Sequence, residues 1–178
     1  NIATTTVLRA TAFGADAPSF TESNTYFINE NHGVCVVSVY SDDVYDLVAN
    51  GNQGGWGGTA NKMGGFELFE QDGTFIDEGD GHFNKHGNDS WAYAQRGFDF
   101  IMRDQFGYNY AIQDQIYRGK SRTSHQRLMI KAAANDNVSF ETGGAHIRDA
   151  YVQSLSQVGN LKMDERSFEP SVLYVNGE

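Results

Sequence analysis

FELFEQDGTFI, residues Phe66 to Ile76, is the stretch that decides the fold. Phe66 and Leu68 alternate with Glu67, the period of two that sends successive side chains to opposite faces of a strand. Gln71-Asp72-Gly73 then supplies residues suited to a tight reversal, and Thr74 to Ile76 resumes the strand pattern, so the segment predicts a β-hairpin. The period recurs outward in both directions. Phe98 to Arg103 (FDFIMR) alternates, and within Thr4 to Phe13 the set Val7, Arg9, Thr11, Phe13 alternates with Leu8, Ala10, Ala12. Val34 to Tyr40 (VCVVSVY) is almost continuously apolar, the composition of a strand covered on both faces. Thr25 to Ile28, the neighbourhood of His82 to His86, Gln126 to Ala132 and Ser171 to Val175 read as further short strands.

One segment follows a different period. Between Ala145 and Val158, the residues Ile147, Ala150, Tyr151, Leu155 and Val158 recur at helical spacing, forming one apolar stripe that would pack on the sheet. Thr142 is placed to cap its start, and Gly159 stands where a left-handed C-cap belongs. Ser41-Asp42-Asp43 has the residue types of another N-cap, leading into a short amphipathic turn with Val44, Leu47 and Val48. Many strands around one principal helix make the expected class α+β, with a mixed or antiparallel sheet.

The chain has 178 residues, of which 39% are apolar, and its 12 Phe, 9 Tyr and 2 Trp can fill the core of one modest domain. Twenty glycines against two prolines suit tight turns between short strands. The net charge of −10, with no cluster of Lys and Arg, repels polyanions and disfavours nucleic acid or an anionic membrane as partner. No apolar run is long enough to insert in a bilayer as a helix. The chain opens at Asn1 without Met or a signal segment and stops at Glu178 directly after a strand, so it reads as part of a longer protein with flanking domains.

Several features have both a plain and a chemical reading. The seven glycines around Trp56, from Gly51 to Gly65, read as a surface loop, their spacing matching neither common Gly-rich phosphate motif. Asp77 to Gly81 reads as a solvated acidic turn, since it lacks the spacing of a calcium loop. The lone Cys35 permits no internal disulfide and reads as a small core residue. Asn88-Asp89-Ser90 and Asn137-Val138-Ser139 fit the glycosylation acceptor triplet, which chance also produces. No zinc-ligand spacing, nucleophile elbow or phosphate-loop lysine occurs, so the residues identify neither a metal site nor a catalytic group. The densest polar stretch is Asn84 to Asp104 (NKHGNDSWAYAQRGFDFIMRD). There Lys85, His86, Asn88, Ser90 and Arg96 gather around Gly87, either to present cations and donors to an anion or simply to satisfy a solvated turn.

Four pieces in order, KHGNDSW, QRGFDFIMRDQFG, AHIRDAYVQSLSQVG and PSVLYVNGE, resemble the N-terminal half of CotH-type, spore-coat-kinase-like domains, over about Val34 to Glu178. The front end, TTTVLRATAF followed by PSFTESNTYFI, resembles the closing strands of the β-sandwich modules beside catalytic domains in chitobiase-like secreted proteins. In secreted proteins of Bacteroidetes type such a module commonly precedes a CotH-like domain. The resemblance implies two units, residues 1–28 and 34–178, joined through Asn29 to Gly33. It also implies the N-terminal lobe of an atypical kinase fold and an extracellular or cell-surface location.

The family's activity is phosphate transfer from ATP to protein serine, which requires magnesium held by carboxylates, cations on the phosphates and a positioned hydroxyl. By position the resemblance makes Lys85 and Arg96 the phosphate contacts, sets Asn88 and Ser90 along the turn, and lets Arg148 and Asp149 orient the cleft. Arg96 follows Gln95 where many family members carry consecutive lysines, and Arg does not replace Lys at a point contact. The family's metal-binding aspartates lie beyond the position of Glu178. ATP and magnesium are therefore expected of the full-length protein and not of this chain alone. Two functions follow: a piece of a secreted phosphotransferase with a protein substrate, or a non-catalytic module of a cell-surface or adhesion protein.

Overall fold

The computed structural model describes residues 1–44, 62–87, 95–133, 136 and 144–178. Its largest element is a six-stranded mixed sheet in the order β7-β6-β5-β4-β3-β8. The strands are β3 (Cys35–Tyr40), β4 (Lys62–Phe69), β5 (Phe75–His86), β6 (Gly97–Met102), β7 (Arg127–Ile130) and β8 (Ser171–Val175). All neighbours are antiparallel except β3 and β8, which run parallel. The Gln71-Asp72-Gly73 turn forms as the sequence leads one to expect, with Gly73 at φ 85° and the Asp72 carboxylate accepting the Thr74 N–H at 2.9 Å.

Register sorts the side chains into two unlike faces. Val37, Val39, Phe66, Leu68, Phe83, Phe98, Phe100 and Leu128 fall on one, with rings of Phe66 and Phe100 stacked at 4.9 Å and Phe83 against Phe100 at 4.7 Å. The long β6–β7 connection covers this face through Ile112, Ile116 and Tyr117, held by paired backbone bonds between Ile112 and His125. The opposite face carries Ser38, Tyr40, Glu67, Glu78 and Asp80. Against it lies a separate two-stranded sheet of β1 (Thr6–Ala10) and β2 (Glu22–Tyr26), which pair with each other and with none of the six strands.

Two sequence expectations about glycine and acid fail for one reason. The expected loop Gly51–Gly65 gives way to β4 already at Lys62, and the expected acidic turn at Asp77–Gly81 is the middle of the continuous strand β5. A Cβ on Gly65 would fall 2.1 Å from the Tyr40 ring, and one on Gly81 would fall 2.2 Å from the Ile101 carbonyl oxygen. These glycines let strands and rings approach closely; they do not break the strands. Gly51 to Gly58, including Trp56, lie outside the described residues, as do the two glycosylation triplets.

The helix expected between Ala145 and Val158, α1, spans Arg148–Val158, three residues shorter at its start. Gly159 is not left-handed (φ −71°); Asn160 takes that conformation at φ 50° instead. The expected packing of the helix on the sheet is also absent: none of its residues is buried, and Ile147, Tyr151, Leu155 and Val158 are all more than half exposed. Thr142, expected as the cap, lies outside the described residues. The capping role falls to a distant side chain. Asp136 accepts the N–H groups of Ala145 (3.0 Å) and Arg148 (2.9 Å) and the Arg148 guanidinium (3.0 Å). The Arg148 N–H bond in particular holds the Asp136 carboxyl below its ordinary range, as expected for an anion at the positive end of a helix. Asp136→Ala should fray α1 from its start, read as lost helical ellipticity in the far ultraviolet, while Asp136→Asn should keep most of it. By contrast, Ser41 caps as its sequence suggests, its hydroxyl accepting the Val44 N–H at 3.0 Å.

Candidate functional site

The polar stretch around Gly87 forms the β5–β6 strand pair, with Lys85 opposite Phe98 and His86 opposite Gly97. Lys85 alternates onto the apolar face beside Phe83 and is half-buried; Arg96, directly before β6, is 6% exposed. Asn88 and Ser90 lie outside the described residues. Arg148 and Asp149 at the start of α1 are engaged elsewhere, Arg148 with Asp136 and Asp149 in an ion pair with Lys131.

On the other face of the same strands, β5, β6 and β7 bring His86, part of the polar stretch, together with Asp99 and Arg127, which the sequence did not single out. Arg127 donates to the buried Asp99 carboxylate at 2.6 Å, and His86 Nδ1 stands 3.4 Å from its other oxygen. Strand register creates this trio, bringing the sequence-distant Arg127 of β7 to His86 and Asp99 of the adjoining β5–β6 pair.

Farther along that face runs a row of carboxylates. Glu67 and Glu78 are direct cross-strand partners, Asp80 lies opposite Gly65, and Glu22 approaches from β2. Glu67 is 1% exposed; its carboxylate accepts the Thr25 N–H at 3.1 Å and also bonds the Thr25 hydroxyl, which meets Ser38 Oγ at 2.8 Å. Burial pushes Glu67 upward, against the pull of the Thr25 bonds. Burial and the like charges of Glu67, Glu22, Asp80 and Asp77 push Glu78 to about 7. Burial also raises Asp80 to about 6, with Arg9 opposing and Glu22 adding to the shift. The space beside these acids, roofed by the edge-on pair Phe20 and Tyr108, is only about 20 Å³. It has room for about one water and not for a substrate. This row is a structural seam between hairpin and sheet.

A larger opening lies where the loop after β2 meets the β4–β5 turn. It is a half-open recess of about 560 Å³, lined by Tyr26, Glu30, Asn31, His32, Gln71 and Asp72 among others. Its wall is preorganised. Phe27 packs edge-on against Phe69 (5.0 Å) and His32 (5.2 Å), and the Tyr174 hydroxyl holds the His32 ring at 2.9 Å. Asn29 at φ 58° turns the chain between Phe27 and Glu30. The sequence marked Asp72 and Gly73 as a turn and Asn29 to Gly33 as a junction, but gave no sign that the two meet.

Cys35 is half-buried rather than wholly internal. Its thiol donates to the Pro170 carbonyl at 3.2 Å, and burial and nearby Glu169 raise it to about 11, so it remains a thiol at neutral pH.

Comparison with protein-family models, with curated proteins and with solved structures finds no match. Fold and sites define the class alone: a β-rich protein with a six-stranded mixed sheet, a hairpin on its acidic face and few helices.

Proposed function

We propose that this chain is a non-catalytic module of a secreted cell-surface or adhesion protein, and that its resemblance to CotH-type domains reflects fold rather than phosphate transfer. The burial of Arg96 carries the reading. Arg96 is 6% exposed as a residue and cannot reach a triphosphate without rearrangement of the sheet, and register sets Lys85 on the apolar side of that sheet. The net charge of −10 adds repulsion toward a polyanion. Within this reading, residues 1–28 are the end of a β-sandwich module, residues 34–178 are the partner unit, and the protein's natural contacts are its flanking domains.

Calorimetry with magnesium and ATP on the full-length protein tests the proposal. No heat is expected for the wild type. Saturable heat that disappears in Lys85→Ala and Arg96→Ala would restore the phosphotransferase reading, with Lys85, Asn88, Ser90 and Arg96 as its nucleotide contacts.

A further inference from the structure

We infer that the opening between the post-β2 loop and the β4–β5 turn is a binding site for a neutral saccharide. The inference rests on the module reading and supplies the ligand class for it. The volume of about 560 Å³ falls inside the range of small-molecule sites, about 300–1,000 Å³. The chemistry of the walls then narrows the ligand. Among the described lining residues there are two carboxylates, Glu30 and Asp72, and two carboxamides, Asn31 and Gln71, but no Lys or Arg. An anion would meet two carboxylates there, with only the His32 imidazole and the carboxamide N–H groups to offset them. A ligand rich in hydroxyl donors meets planar groups, each with two positions in one plane, the arrangement that pairs with neighbouring hydroxyls on a pyranose ring.

An apolar element completes the match. Tyr26, one of the lining residues, is 46% exposed, while Thr25 beside it is buried against Glu67. A sugar ring has an apolar face of C–H groups as well as its hydroxyls, and an exposed aromatic ring at the mouth of a polar opening can cover that face. A simple ammonium ligand would use the acids but leave most of the volume and both carboxamides without a role. The acids are also partly committed already: Asp72 accepts the Thr74 N–H at 2.9 Å, and Glu30 accepts the Thr5 hydroxyl at 3.3 Å. Both carboxylates are thereby oriented, as acceptors for hydroxyls rather than as a paired clamp on one cation. The Phe27–His32–Tyr174 packing fixes the wall before any ligand arrives, which lowers the ordering cost of binding.

The test is amide chemical-shift titration of the protein with the methyl glycosides of glucose, galactose, mannose and N-acetylglucosamine, with n-butylammonium as a separate arm. At least one glycoside should give saturable shifts at residues 26–32 and 71–73. Tyr26→Ala and Asn31→Ala, both at exposed positions, should each weaken that binding by about tenfold or more. The inference is overturned by an absence of shifts with all four glycosides, by shifts confined to other regions, or by unchanged affinity in both variants. Shifts with n-butylammonium alone would overturn it in favour of an amine. Failure here with Mg·ATP still silent would remove the ligand class and leave the module reading standing; saturable Mg·ATP heat would remove the module reading itself.

Discussion

Glu67→Ala should cost about 3 kcal/mol of stability and release the β1–β2 hairpin from the sheet. The truncation strands the buried Thr25 N–H and disturbs the Thr25–Ser38 hydroxyl pair. An unsatisfied buried donor costs about 1–3 kcal/mol, and the void left by the missing methylenes adds to it. Glu67→Gln should behave differently. It retains the volume and one acceptor for Thr25, and removes a carboxyl that burial makes costly to ionise. Urea unfolding should therefore rank Ala well below wild type and place Gln near or above wild type at neutral pH. Hydrogen exchange should locate the Ala defect in residues 22–26 before it reaches β5 and β6. Equal stability of the Ala and wild-type proteins would mean that Thr25 and Glu67 do not hold the hairpin.

The second large effect is the dependence of stability on pH. Glu78 rises from 4.5 to about 7 and Asp80 from 3.8 to about 6, in both cases chiefly through burial. For a carboxyl raised in the folded state, the folded protein holds its proton where the unfolded chain has already released it. Unfolding free energy must then fall as pH rises between the two values. The contribution is complete below the unfolded values near 4 and is lost by the time pH passes about 7. Because Glu78 remains partly in contact with water, screening reduces the effect, and about 1–2 kcal/mol is expected from the pair. Glu22, Glu67 and Asp77 add negative charge around Glu78, and Arg9 is the cation opposing Asp80. Asp72 and Asp136 act in the opposite sense: hydrogen bonds lower both, so their contribution is lost as pH falls below the ordinary aspartate value of 3.8. The maximum should lie in mildly acidic solution. Glu78→Gln should flatten the decline on the alkaline side. A stability curve that rises steadily from pH 4 to pH 7 would contradict the buried carboxylate seam.

How far the sequence reaches is clearest in β5. Phe66 to Ile76 could be read as a hairpin because both of its signals are local: alternation over a few residues and a turn tripeptide whose backbone needs are intrinsic. Phe98 to Arg103 and Ser171 to Val175 were legible as strands for the same reason. Asp77 to Gly81 reads locally as a solvated turn because acids with glycines share that composition, while the cause of the composition lies across the sheet. Ile101 and Met102 approach Gly81 and Gly79 too closely for a Cβ, and a hairpin distant in sequence covers the acids. The order of strands, the parallel contact of β8 with β3 and the position of the hairpin are likewise long-range facts with no local signature.

The helix makes the same division. Its period was legible, since helical spacing belongs to the segment itself. Its cap was not, because Asp136 reaches it through tertiary structure, and neither was the exposure of its apolar stripe. The candidate sites follow the same rule. The sequence could gather Lys85, Asn88, Ser90 and Arg96 only because they are near neighbours in the chain. The burial of Arg96, the meeting of Asp99 with His86 and Arg127, and the opening between Asn31 and Asp72 depend on which strands lie side by side. By itself the sequence determined strand-forming and helix-forming segments, the turn at Gln71–Gly73 and an acidic surface, all set by neighbouring residues. Tertiary structure alone decided which acids are buried and which polar groups line a cavity, because burial is a property of what packs from afar.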